Sequence, residues 1–171
     1  MATLYSYSPE DVSVLVAGLY EVSGFVDGTM VSVSKDRPTF TTHESSDGIT
    51  SRTHTESHLY TVTLSLHSAA QSNQVLSYLL AADASSKIAK FPIIIKDNLG
   101  TSSFFSPSSW IEGPPDTSFA VSITERPWVI RCSAGSYNVG GNHLSAGFVR
   151  NVSDLGIGYL DRVVSERTLR G

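Results

Sequence analysis

The stretch Tyr60-Thr61-Val62-Thr63-Leu64-Ser65-Leu66 alternates without a fault between apolar and hydroxyl side chains. In an extended strand successive side chains point to opposite faces, so this spacing puts the apolar groups on one face and the hydroxyls on the other. Such a strand covers a hydrophobic core with one face and leaves the second face polar. The stretch therefore predicts a β-rich fold built from half-buried strands.

The same period recurs along the chain. Val31–Lys35 (VSVSK) and residues 119–124 (FAVSIT) repeat the alternation, and shorter β-branched or aromatic runs lie between glycine, proline and aspartate. The further strand candidates are residues 12–17, 40–43, 91–96, 102–110 and 129–132. This spacing of short strands is typical of a β-sandwich or a small barrel.

One segment has a different period. Residues 68–84 (SAAQSNQVLSYLLAADA) are rich in helix formers and carry Val75, Leu76, Leu79 and Leu80 on one helical face. This pattern predicts an amphipathic helix over about residues 69–84 that packs on the sheet. The sequence thus predicts a mainly β domain over residues 1–150, a β-sandwich or half-barrel with one flanking α-helix.

Residues 43–57 (HESSDGITSRTHTES) are polar throughout, with Asp47-Gly48 at the expected tip. A hairpin connection usually takes about two to five residues, so a longer one is either disordered or used for binding. The sequence predicts a long hairpin loop here.

A second peripheral segment is residues 151–171 (NVSDLGIGYLDRVVSERTLRG). Ser153 is a candidate cap for a short helix, although Gly156 and Gly158 weaken that prediction. An apolar stripe this late in a chain is expected to dock on the body or on a neighbour. We treat these residues as a C-terminal extension.

The charge distribution excludes one class of function. Only 16% of the residues are charged, and the net charge is −4, whereas soluble domains average about 25% charged residues. Residues 1–110 hold ten acids and six bases, and residues 111–171 hold six of each. Because a nucleic-acid-binding protein needs a basic stripe, contact binding of nucleic acid is disfavoured. A hydroxyl-rich, weakly charged surface favours packing against copies of the same chain, although secreted β-sandwiches share this composition.

No run approaches the ~18 apolar residues of a membrane span, and the first residues lack the plan of a signal peptide. We therefore expect synthesis in a cytoplasm and no membrane insertion.

The candidate chemical groups do not form a known catalytic pattern. His54 and His58 are four apart, but THTESH has no helical support and lacks the arrangement of a zinc protease. His43, His54, His58 and His67 are interpreted as surface polar residues, with a metal site or a pH-sensitive subunit contact as alternatives. Cys132 is interpreted as a strand core residue, and Gly140-Gly141 as a turn without a phosphate cradle. The sequence predicts no enzyme, cofactor or metal site.

The order of these features resembles the tail tube proteins of myophages, of the type grouped with a Pseudomonas phage structural protein. The resemblance covers about residues 5–145, and only its outline matches after residue 90. It is carried by Asp11-Val12-Ser13, Phe25-Val26-Asp27-Gly28, Val31-Ser32-Val33-Ser34-Lys35-Asp36, Phe40-Thr41, Asp47-Gly48, Arg52, Thr61-Val62-Thr63-Leu64-Ser65-Leu66, Asn73, Leu76, Ser77, Ile93-Ile94-Ile95-Lys96-Asp97 and Trp128.

The resemblance implies a subunit of hexameric rings that stack into a hollow tube inside a contractile sheath, in a phage tail assembled in the host cytoplasm. About four strands of each subunit join a shared inner β-barrel, through which double-stranded DNA passes without specific binding. The implied partners are further copies and the sheath, tape-measure, baseplate and tail-terminator proteins. Our hypothesis for such a tube is that the hydroxyl side chains of Ser32, Ser34, Thr61, Thr63 and Ser65 form a non-adhesive lumen wall. The long polar loop is the candidate for inter-ring stacking, with residues His43, Glu44, Asp47, Gly48, Arg52 and His54.

Three alternatives remain open from the sequence. The tube of a phage-like bacteriocin or a type VI secretion system obeys the same ring physics. A ligand-binding β-sandwich predicts a signal peptide and exposed aromatic side chains. An enzyme built on the histidines predicts that the purified protein retains a metal.

Overall fold

A computed structural model describes residues 8–141; the C-terminal extension 151–171 and the domain boundary at 150 lie outside these residues. A short 3-10 turn, Pro9–Asp11, opens the described chain. The strands and the helix follow in this order: β1 Val12–Val16, β2 Tyr20–Glu21, β3 Val31–Lys35, β4 Phe40–Glu44, β5 Thr50–His54, β6 Tyr60–His67, α1 Ser72–Ser86, β7 Phe91–Asp97, β8 Ser103–Ile111, β9 Glu125–Cys132 and β10 Ser136–Asn138.

One antiparallel sheet holds most of these strands, in the order β2-β1-β7-β8-β9-β6-β3. Strand β8 pairs along one edge with β7 and along the other with β9 and β10. The register between β7 and β8 shifts between Phe91 and Ile93, and such an irregularity increases local twist and bending. Strands β4 and β5 form a separate two-stranded sheet.

Residues 22–26 connect the two ends of the long sheet. The Val22 N–H donates to the Val14 carbonyl on β1 (2.8 Å), and the Val26 N–H donates to the Ser65 carbonyl on β6 (3.1 Å). The sheet therefore curls around one core and forms a half-barrel with a flanking helix, which confirms the predicted fold class. The core consists of Val14, Val16, Val22, Val62, Leu64, Leu66, Leu76, Phe91, Ile93, Ile95, Phe104, Ile111, Trp128, Ile130 and Cys132.

Helix α1 begins and ends slightly later than predicted. The Ala70 N–H donates to the His67 carbonyl (2.9 Å), so the residues before Ser72 form a turn that reverses the chain after β6. Leu76 is fully buried, whereas Leu79 and Leu80 are only partly buried against the core. The helix ends at Ser86, and the next residue, Lys87, takes the left-handed conformation (φ 59°). The helix thus covers the sheet with its first two turns.

The start of α1 is fixed by buried polar side chains. The Asn73 amide donates to the carbonyls of His67 (2.8 Å) and Ala70 (3.0 Å), and its oxygen accepts from the Trp128 indole N–H (2.9 Å). Beside it, the Ser72 hydroxyl donates to the Ser23 carbonyl (2.8 Å) and accepts from the Ser23 N–H (3.0 Å). These hydrogen bonds hold the start of α1, the turn after β6 and strand β9 in one arrangement.

Two sequence predictions of secondary structure are wrong. Residues 119–124 form no strand, because no other strand of the described chain pairs with them. Residues 50–54, interpreted as loop, form β5, which pairs with β4 over its whole length. The short strands β2 and β10 were also missed, because two or three residues carry no readable period.

We expect Asn73→Leu to lower the free energy of unfolding by about 1–3 kcal/mol, because the buried Trp128 indole N–H loses its acceptor. Urea denaturation followed by tryptophan fluorescence measures the change. The control is Gln74→Ala at the next, exposed position, where we expect less than about 0.5 kcal/mol. An unchanged urea midpoint for Asn73→Leu would contradict the role given to this amide.

Candidate functional site

The β4–β5 hairpin extends from the body between β3 and β6. All ten residues of its two strands are exposed, and the pairing runs in register from Phe40↔His54 to Glu44↔Thr50. At the tip the Ser45 N–H donates to the Ile49 carbonyl (2.9 Å), and Gly48 takes a positive φ of 84°. The predicted long loop is thus an ordered, fully exposed β-hairpin.

Few contacts within the hairpin can stabilise it. The Arg52 guanidinium lies 3.9 Å from the centroid of the Phe40 ring, and the Phe40 and His54 rings are 5.2 Å apart between centroids. A lone two-stranded hairpin is marginally stable in water, because it buries little apolar surface. An arm of this length without a core of its own is a feature expected of a binding element.

All six residues of the predicted stacking loop lie on this hairpin. His43 and Glu44 are in β4, Asp47 and Gly48 are at the tip, and Arg52 and His54 are in β5. The structure brings them together as one element, and their role in stacking stays a prediction.

A second surface is the face of β3, β6 and β9 that points away from the core. Register places Ser32 opposite Thr63 and Ser34 opposite Thr61. Both serines are exposed and both threonines are half-buried. Ser65 belongs to the same predicted set but is only 8% exposed, so it adds little to this surface. We call Ser32, Ser34, Thr61 and Thr63 the polar face.

An ionic network crosses the polar face. Arg131 of β9 lies between two acids, with Nη1 2.5 Å from the Asp36 carboxylate and Nε 2.8 Å from the Glu112 carboxylate. The Thr61 hydroxyl also donates to Asp36 (2.6 Å). The hydrogen bond to Glu112 and the charge of Asp36 raise the pKa of Arg131, against the opposing effect of burial.

Sequence reasoning missed this network because its members are far apart in the chain. Only the register of β6 with β9 reveals it, since Thr61 lies opposite Arg131. The Arg131 charge beside the polar face is therefore balanced by two carboxylates.

The four histidines among residues 8–141 do not converge on one site. His43 and His54 lie in opposite strands of the hairpin, His67 ends β6, and His58 lies in the connection before β6. Among residues 8–141, no group of three or more histidine, cysteine, aspartate or glutamate side chains is placed to hold a metal ion.

Cys132 is a core residue of β9, as predicted, and it is fully buried. Its sulfur accepts a hydrogen bond from the Ser109 hydroxyl (3.3 Å). Burial raises the pKa of the Cys132 thiol, and hydrogen bonds from Ser109 and Ser106 partly oppose this. The neutral, enclosed thiol is the opposite of an activated nucleophile.

The predicted turn at Gly140-Gly141 packs against the start of β8. The Gly140 N–H donates to the Ser102 hydroxyl (3.2 Å), and that hydroxyl lies 3.0 Å from the Gly140 carbonyl. A Cβ at Gly140 would clash with Thr101. The glycine therefore serves close packing of the chain.

Comparison with known proteins identifies the family. No family model matches the chain. Structural protein ORF10 of Pseudomonas phage KPP10 is 31% identical over 144 residues, which are 80% of this chain and 83% of that protein. The chain belongs to the family of this phage structural protein.

Two solved structures share the fold at low sequence identity. The anti-feeding prophage cap, which terminates its tube, aligns with 81% of this chain and 95% of its own, with a TM-score of 0.54 and 14% identity. The sheath/tube terminator of the PVC extracellular contractile injection system aligns with 81% of this chain and 100% of its own, with a TM-score of 0.50 and 13% identity. Within residues 8–141, no helix has the length and apolar character that a membrane crossing needs.

We expect iodoacetamide to label Cys132 at least about tenfold more slowly in the folded protein at pH 8 than in urea, because the thiol is buried and its pKa is raised. Mass spectrometry measures the labelled fraction, and the chain has no second cysteine to confuse it. Folding raises the thiol pKa, so the thiol's contribution to the free energy of unfolding is fully present below its unfolded pKa of about 8.5. That contribution is lost as the pH rises through the folded pKa. Equal labelling rates would show that the site is open.

Proposed function

We propose that this protein is the tube subunit of a contractile phage tail, forming hexameric rings that stack into a conduit for double-stranded DNA. The observation that carries the proposal is the β4–β5 hairpin, in which all ten strand residues are exposed, on a member of a phage structural protein family. A hairpin that its own subunit does not bury is explained if the next ring buries it.

Stacking by the hairpin suits its chemistry. The tip carries Asp47 and the exposed Ile49, and the strands carry Glu44 and Arg52. An apolar tip flanked by charges of both signs can insert into an adjacent ring and fix its rotation. Anchoring at the base keeps the hairpin directed, because the Lys35 ammonium donates to the Thr39 hydroxyl (2.6 Å) and the Thr55 N–H donates to the Thr39 carbonyl (2.9 Å).

The polar face suits the wall of a conduit. If each of six subunits gives about four strands, about 24 strands at ~4.8 Å and ~45° tilt enclose a circumference of ~160 Å and a diameter of ~50 Å. Such a lumen admits duplex DNA. Hydroxyl groups and an arginine balanced by Asp36 and Glu112 give the phosphates few free cations to bind, so the DNA slides without being held.

A terminator ring is the second candidate, favoured by the fold shared with the anti-feeding prophage cap and the PVC terminator. The two functions differ in how many rings stack on one another. A tube subunit polymerises on itself without limit, whereas a terminator stops at one ring. A tube of a related contractile injection system is a third form of the same proposal, distinguished by the absence of DNA cargo.

Electron microscopy of the purified protein tests the proposal directly. We expect hollow tubes of stacked rings at high protein concentration. Single rings that never stack would favour the terminator, and a monodisperse monomer would refute both.

We expect Ile49→Asp to shorten or abolish the tubes, because it places an uncompensated charge at the hairpin tip. Negative-stain microscopy and sedimentation measure tube length. The matched control is Leu99→Asp, another exposed aliphatic residue in a turn, which should leave tubes intact.

Replacing residues 43–51 by a two-residue Asn-Gly turn shortens the hairpin and keeps the pairs from Phe40↔His54 to Thr42↔Arg52. This variant should lose stacking while circular dichroism shows a folded body. Normal tube growth after that replacement would refute the stacking role.

We expect Ser32→Lys with Ser34→Lys to make assembled tubes retain short duplex DNA at low salt, because these lysines lie on the proposed lumen wall. Co-sedimentation of labelled DNA measures retention, which should fall steeply with added salt. The charge-matched control is Gln74→Lys with Ala81→Lys on the exposed face of α1. Equal retention by both variants would place the polar face outside the lumen.

A further inference from the structure

The connection between β8 and β9 contains an unpaired segment with the pattern of a strand. In residues 119–123, Phe119 is 92% exposed, Val121 is fully exposed and Ile123 is 62% exposed. These alternate with Ala120 and Ser122, so in an extended conformation three large apolar side chains share one face. Within the described chain, the backbone of residues 119–123 forms no hydrogen bond. We call this stretch the 119–123 segment.

Strand β3 offers the matching edge. It ends the sheet order, and one edge pairs with β6. The other edge has no partner strand among residues 8–141. Beside it opens a cleft of about 480 Å³, lined largely by apolar side chains that include Val26, Met30, Val31, Val33, Ile95 and Phe104. We call this the β3 cleft.

The two features fit each other in length, pattern and charge. Both are five residues long, and an antiparallel pairing sets Phe119, Val121 and Ile123 opposite Lys35, Val33 and Val31. Residues directly opposite in such a pair point to the same face, so the three apolar side chains would cover the β3 cleft. The same register would bring Asp116 near Arg37, a pair of opposite charge.

Pairing within one chain does not occur in the structure. The segment is held at the other end of β6, where the Ser68 N–H donates to the Thr124 carbonyl (2.8 Å) and Phe119 lies near Ala69. Strand β3 instead pairs with the first half of β6, from Tyr60 to Leu64. A segment on one copy and an edge on another form a heterologous contact, which closes into a ring when the rotation allows.

We infer that the 119–123 segment of one subunit adds as a strand to the free edge of β3 in a second copy and covers its β3 cleft. This inference deepens the proposed function, because it names the contact by which one subunit meets the next within a ring. It also explains why a sequence with a strand's alternation forms no strand in the single chain.

Disulfide trapping in the full chain tests the contact. We expect Val33→Cys and Val121→Cys chains, mixed and oxidised, to form a dimer on a non-reducing gel, because opposite residues in antiparallel strands lie within disulfide range. The double variant should give a ladder that ends at the ring. The matched control is Ser34→Cys mixed with Val121→Cys, since Ser34 lies on the opposite face of β3; its dimer yield should be at least about tenfold lower. The buried Cys132 is present in every chain and serves as the background.

A second variant separates this inference from the proposed function. Val121→Asp should weaken ring formation at least tenfold, measured by analytical ultracentrifugation, whereas Leu19→Asp at another highly exposed site should leave it unchanged. Hairpin variants should instead still form rings. Two results would overturn the inference and leave the tube proposal standing: rings that form without a disulfide between Val33→Cys and Val121→Cys chains, or an intrachain disulfide in the double variant. A wild-type chain that forms no ring, while the mixed variants still form the specific dimer, would overturn the tube proposal alone.

Discussion

The buried amide of Asn73 is the interaction on which the arrangement of the fold depends. A half-barrel made from one curled sheet needs contacts that fix the relative positions of its strands and its helix. The Asn73 amide provides such contacts, because it links the end of β6, the start of α1 and Trp128 of β9. Each polar atom of this amide is satisfied, which a buried polar group requires. An apolar residue could fill the space, but it would not specify which strand the helix meets.

How well the sequence predicted each strand depends on what that strand buries. Strand β6 was predicted correctly because its alternation coincides with a real division between core and surface. Residues 119–124 have an equally good alternation, yet they form no strand in the single chain. Strand β5 shows the converse, because its residues are all exposed and hence carry no apolar period. An apolar period reports what a strand buries. It is therefore absent from a strand with both faces exposed, and it misleads where apolar side chains stay uncovered in the single chain.

The parts of the candidate site also differ in how far the sequence could predict them. The hairpin could be located from sequence, because a polar run longer than a tight turn stands out by length and composition. The burial of Ser65 and the network around Arg131 could not, because both depend on contacts between residues far apart in the chain. Asp36 and Glu112 reach Arg131 only after β6, β8 and β9 have paired. Such contacts leave no local mark on the sequence.

The surface left by the fold is unusual for a protein that works alone. An exposed hairpin, a sheet edge without a partner strand among residues 8–141, and a solvent-facing apolar segment are each a hazard for aggregation. Monomeric β-proteins block such features with charge, proline or bulges. These three surfaces are of two kinds. The hairpin extends from the body, whereas the 119–123 segment and the β3 edge match each other in length and pattern. Two unlike contacts are the minimum that builds a stacked ring, one within the ring and one between rings. Under the proposed function, further copies of the chain bury these surfaces, and the low charge suits that burial, since charge on these surfaces would oppose it.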